Sequence, residues 1–187
     1  MNEVELIRNQ LALERGHVGA VANACAKAME LQPGASTSDD SRKQFRRACV
    51  DYLACVLAWF EERDQRLTDL LQVRSGRLDP AGHALEEVLA HPGRSHEVLA
   101  KLEAACASTE SASAGQQQGW REFVEYFDGV WSRRRDALDA LLSTKARTTD
   151  WRTLGGIDAD SILEERRRYA QVCAQAPAGV VLGTKPQ

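Results

Sequence analysis

The sequence has little of what builds sheets, crosses bilayers or staples small secreted domains. Aromatic residues make up 6% of its 187 positions and prolines number five. No stretch alternates strand-forming residues with polar ones, which leaves a sheet without material. No run approaches the ~20 apolar residues that a membrane span needs, so a transmembrane role is not expected. The opening Met1-Asn2-Glu3-Val4-Glu5 is acidic and lacks the apolar stretch of a secretory signal. The five cysteines are an odd number without a C-x-x-C pair, which excludes a disulfide framework and a zinc finger on spacing. They sit mostly among alanines, as small hydrophobes do, and a reducing, cytoplasmic location is expected. Charge of one sign is not in surplus: 24 basic residues face 27 acidic ones. That balance argues against a nucleic-acid partner. No Gly-rich loop follows a strand and no serine stands in a G-x-S-x-G context, so no catalytic residue is expected.

What is present is helix-forming sequence, rich in Ala, Leu, Glu and Arg, of a length that suits one domain. A first helix is expected from Glu3 to Leu31, with Val4, Ile7, Leu11, Val18, Val21, Cys25 and Met29 recurring on one seam. Gln32-Pro33-Gly34 ends it. A second runs from Ser38 to Arg74 behind Ser36-Thr37-Ser38-Asp39-Asp40, with Phe45, Cys49, Leu53, Val56, Phe60, Leu67 and Leu71 inward. A weaker helical region follows Asp79-Pro80, breaks at His91-Pro92-Gly93 and ends near Ser108. Thr109 to Gly119 reads as a loop. A fourth helix spans Trp120 to Lys145, with Trp120, Phe123, Phe127, Val130, Trp131, Leu138 and Leu141 inward. A last one spans Asp158 to Gln175, carrying Ile162, Leu163, Tyr169 and Val172.

The expected fold is all-α: an antiparallel up-down four-helix bundle over residues 1–146, with a short additional C-terminal helix laid across it. Residues 147–175 form the linker and that helix, and residues 176–187 a disordered tail. A four-helix core does not require the last helix. It is therefore the candidate for pairing with a second copy, and a monomer or homodimer is expected.

Two segments resemble each other. Trp59-Phe60-Glu61-Glu62-Arg63-Asp64 leads to Leu70-Leu71, and Trp131-Ser132-Arg133-Arg134-Arg135-Asp136 leads to Leu141-Leu142. On these motifs the chain resembles the hemerythrin-like family of HHE cation-binding bundles over most of residues 3 to 145. That family repeats His-Phe, two residues, Glu-Glu on helices two and four, and places a histidine on helix one. Here Trp59-Phe60 and Arg63-Asp64 stand at those positions, Trp131 and Arg135-Asp136 repeat the replacements, and His17 keeps the family's ligand type. Tryptophan cannot coordinate iron and arginine repels a dication. The resemblance therefore implies a bundle whose di-iron site has decayed, and no cofactor is expected.

Two readings of the site residues remain. Glu14 and His17 match the Glu-x-x-His unit of ferritin-like bundles. With Glu62, Asp64, Glu125 and Asp128 they would hold iron or another divalent metal. The leading reading uses charge instead. Glu14 and Arg63 continue core seams, and Arg134 or Arg135 falls beside Trp131, so a buried polar layer with His17, flanked by Trp59 and Trp131, would form a pocket for a small anionic ligand. Trp59–Arg63 and Trp131–Arg135, at i and i+4, would stack. The blander account leaves the arginines at the seam's edge, reaching water on long stems. His83, His91 and His96 read as surface residues, and the arginine runs at 133–135 and 166–168 as solvated faces. The expected function is a soluble, non-enzymatic binding or interaction protein of hemerythrin-like appearance. A small anion or another protein is its partner, with neither nucleic acid nor membrane.

Overall fold

A computed structural model describes residues 2–30, 39–72, 94–107, 114–133, 136, 139, 142–143, 146–155 and 159–183. They form six α-helices, with no strand among the described residues. The helices are α1 (Glu3–Glu30), α2 (Asp39–Gln72), α3 (Arg94–Ala107), α4 (Ala114–Tyr126), α5 (Thr148–Gly155) and α6 (Ala159–Gln175). A π-helical turn, Phe127–Trp131, continues α4. No helix among the described residues is long and apolar enough to cross a membrane.

Local chemistry starts these helices. At α1 the Asn2 side chain accepts from the Glu5 backbone N–H at 2.9 Å, and Glu5 Oε2 accepts from the Asn2 N–H at 2.8 Å. This reciprocal box satisfies donors that no helical carbonyl can reach. At α5 the Asp150 carboxylate accepts from the Arg147 N–H at 2.7 Å and begins a helix where a linker was expected. Thr148 and Thr149 read as loop residues, but the acid in the first turn outweighs them, and Trp151 anchors the short helix in the core. α4 likewise begins at Ala114, inside the segment expected to be a loop.

α2 is the hub. It packs against α1, α3, α5 and α6, while α1 also meets α4, α5 and α6, and α3 meets α4. The residues explain the role: Cys49 and Val50, Tyr52 and Leu53, Val56 and Leu57 are buried in adjacent pairs. Such pairs face different directions on a helix, so α2 carries a band wider than the single seam read from its sequence. An aromatic run from α4 completes the interior: Trp120 meets Phe123 edge-on, Phe127 stacks on Trp131 at 4.5 Å, and Trp131 meets Phe60 of α2 edge-on at 5.4 Å. Leu138, Leu141 and the helical stretch expected before Arg94 lie outside the described residues, as do the side chains of Met29, Leu67 and Leu71.

The C-terminal helix, expected to be laid across the bundle, contributes side chains to the interior. α6 lies against α2 and buries Glu165 and Val172. Beyond it, in the segment expected to be disordered, the Val180 N–H donates to the Pro177 carbonyl at 3.0 Å. Gly179 takes φ +90° in that turn, a conformation that favours glycine, and Val180 is buried. α6 is thus part of the interior. Removing residues 159–187 is expected to lower the urea midpoint steeply or abolish cooperative unfolding. A truncated chain with the parent midpoint would make α6 an appendage.

Candidate functional site

Glu14 and His17 stand one turn apart on α1, and each is buried: Glu14 is 2% exposed and His17 7%. They meet different helices. Arg63 of α2 donates from Nη1 to Glu14 Oε2 at 2.6 Å, and Gln10 donates from Nε2 to Glu14 Oε1 at 2.9 Å. Both oxygens of Glu14 are therefore engaged. The Arg63 guanidinium also lies 5.2 Å from the centroid of the Phe60 ring. The pair is charge-assisted and buried, a combination that is strong once formed but offset by desolvation.

The second half of the site joins α1, α2 and α6. Glu165 Oε1 lies 2.8 Å from His17 Nδ1 and accepts from the Tyr52 hydroxyl at 2.7 Å. Tyr169, one turn after Glu165, stacks on the His17 imidazole with centroids 3.8 Å apart, and Tyr52 is tilted against Tyr169 at 6.0 Å. Burial first, and then the Glu165 charge, push the Tyr52 phenol well above the ordinary tyrosine range, so it remains a donor. Burial and the neighbouring Cys173 raise Tyr169 to about 12. With Glu165 accepting, His17 donates from Nδ1. Glu165 is 1% exposed, yet its Oε2 is buried without a hydrogen-bond partner among the described residues.

Of the residues expected to form the pocket, Glu14 and Arg63 pair with each other, while His17 meets Glu165 and Tyr169 instead. Trp131 is buried against Phe60 and Trp59 is half-buried against the core. Arg63 does not stack on Trp59 as expected. Its head turns toward Glu14, and Phe60 takes the contact. Arg134 and Arg135 lie outside the described residues, as do His83 and His91. His96 is exposed and pairs with Glu61 at 2.8 Å. In the second arginine run, Arg167 and Arg168 bond Glu164 at 2.7 Å and hold its carboxyl down to about 2.

The metal reading meets a poor donor set. Glu62 is exposed and paired with Arg66, Glu125 and Asp128 are exposed, and Asp64 is buried on α2. No group of three or more His, Cys, Asp or Glu side chains able to hold a metal gathers among the described residues. A dication at Glu14 would face the Arg63 guanidinium, so these residues do not fit the iron of the resembling family. Among the described residues His17 touches Glu165 and Tyr169.

Glu165 and Tyr52 escaped the sequence analysis. Glu165 sits in Glu164-Glu165-Arg166-Arg167-Arg168, which reads as a solvated face. The signal that could have found it is its phase: Ile162, Glu165, Tyr169 and Val172 are spaced three, four and three apart.

Glu14→Gln is expected to cost about 1–3 kcal/mol in urea denaturation, because Arg63 loses its counter-charge. Arg63→Met in that background should recover part of the loss. A change within about 0.5 kcal/mol would place Glu14 in solvent. The phenols predict a pH effect. An unfolded tyrosine ionises near 10, while Tyr169 holds its proton to about 12, so between these values the unfolded state binds fewer protons. Its contribution is complete below pH 10 and lost as pH rises to about 12. Unfolding free energy should fall across that window, less steeply in Tyr169→Phe; equal slopes would show an accessible phenol.

What the chain is rests on these residues alone: compared with known proteins, it matches no family model, no curated sequence and no solved structure.

Proposed function

We propose that the chain is a non-enzymatic binding or interaction module whose site is the buried polar layer of α1, α2 and α6. An up-down four-helix arrangement of α1 to α4 is part of this reading. Its support is that α1 packs on α2, α2 on α3, α3 on α4 and α4 on α1, the neighbour pattern of such a bundle. The likeness to hemerythrin-like proteins enters only as this arrangement of helices, without their metal chemistry.

Glu165 carries the reading. A buried acceptor left without a donor costs about 1–3 kcal/mol. A ligand that brings an N–H or O–H to Oε2 recovers that free energy. The preferred ligand is therefore a hydrogen-bond donor, such as a small amine or alcohol. The anion expected from the arginines is disfavoured, since Arg63 is engaged by Glu14 and a second anion would approach Glu165.

Thermal-shift titration with ammonium, methylamine, glycerol and acetate tests this. A saturable rise in melting temperature is expected with a donor and not with acetate. It should vanish in Glu165→Gln, which keeps an oxygen for Tyr52 and His17 but presents an amide N–H₂ in place of Oε2. No shift with any donor, together with unchanged or greater stability in Glu165→Gln, would leave the layer a structural element. Elemental analysis of untagged protein purified without chelator is the companion measurement. Stoichiometric iron, manganese or zinc, lost in His17→Ala, would replace this reading with a metal protein.

A further inference from the structure

On the opposite side of α1 from this layer, outside every residue discussed for it, lies a groove of about 550 Å³ between α1, α5 and Asp139. That volume falls within the roughly 300–1,000 Å³ typical of small-molecule sites. Leu11 and Ala12 of α1 and the indole of Trp151 supply apolar wall, and Glu5, Arg8, Arg15 and Asp139 supply charge.

The four charges are not equivalent. Asp139 is paired with Arg15 at 2.7 Å. Glu5 takes part in the capping box with Asn2, where the positive end of α1 offsets its charge. Glu3, in the first turn of α1, is held by Arg152 at 2.9 Å. Arg8 alone of the lining cations has no carboxylate partner among the described residues. Its guanidinium lies 5.3 Å from the centroid of the Trp151 ring and donates to the Ser143 hydroxyl at 3.3 Å. The indole restrains an otherwise mobile side chain, so less order is lost when it binds. The bond to a neutral hydroxyl is long, and a carboxylate competes with it easily.

We propose that this groove binds a small planar aromatic monoanion, its carboxylate on Arg8 and its ring against the apolar wall of Leu11, Ala12 and Trp151. A dianion is less suited, because Arg15 is committed to Asp139 and Glu5 stands in the lining.

The full chain is titrated with 2-naphthoate by calorimetry, and the Trp151 indole N–H, identified with Trp151→Phe, is followed by NMR. Saturable binding that shifts this signal is expected, about tenfold weaker in Arg8→Gln. Arg8 is exposed, so that variant keeps the parent melting temperature. Arg167→Gln, which removes a guanidinium on α6, should leave the affinity unchanged. 2-Naphthamide, which lacks the charge, and inorganic phosphate, which lacks the ring, should bind at least tenfold more weakly or not at all. Absence of saturation, equal binding of naphthamide or of phosphate, full affinity in Arg8→Gln, or equal weakening in Arg167→Gln would each overturn the proposal.

Discussion

The polar interior depends on one oxygen, Glu165 Oε1, which two side chains from different helices approach at once. That shared contact fixes the rotation of α6 about its own axis. A slip of one residue turns a helix by about 100° and would bring Arg166 toward Tyr52 and His17 in place of Glu165. A guanidinium there would meet an imidazole and a phenol, with no acid to answer it. The Glu14–Arg63 pair imposes the same kind of discrimination on α1 against α2. Neither contact tolerates a neighbouring register.

Their value lies in that discrimination more than in stability. The desolvation of Glu14 and Arg63 consumes much of their attraction. The apolar layers hold the protein together: the wide band of α2, the aromatic run through Trp120, Phe123, Phe127 and Trp131, and the small residues Ala22, Cys25 and Ala28 of α1. The π-helical turn at Phe127–Trp131 belongs to this layer. The Ser132 hydroxyl donates to the Phe127 carbonyl at 2.9 Å, which supports a carbonyl where the helical ladder is wider.

Helix ends were legible in the sequence where a strong breaker stands. α1 begins at the expected Glu3, and α6 ends at the expected Gln175, two residues before Pro177. α5 was not legible, because two threonines outweigh one aspartate when local preference is read without its tertiary anchor, Trp151. The start of α4 was hidden by a polar stretch rich in Gln and Ser. For the site, period alone put Glu14 and Arg63 on apolar seams and left open whether they are buried or reach water from the seam's edge. It could not show which helices meet. His17 was noticed for its partner in sequence, Glu14, whereas its partner in space sits on α6, inside a run of charge that conceals its phase.

The position of Glu165 along the chain also orders events in time. It is separated from Tyr52 by 113 positions and from His17 by 148. As the chain emerges during synthesis, α1 and α2 are complete long before their acceptor exists. Until then the buried faces of His17 and Tyr52 have only water to bond, and the groove on α2 that α6 will fill stays open. Contacts so distant in sequence close late, after the loop entropy between them has been overcome. Glu14 and Arg63 can set α1 against α2 before the last helix exists, and the arrival of α6 then closes the polar face left wet at His17 and Tyr52.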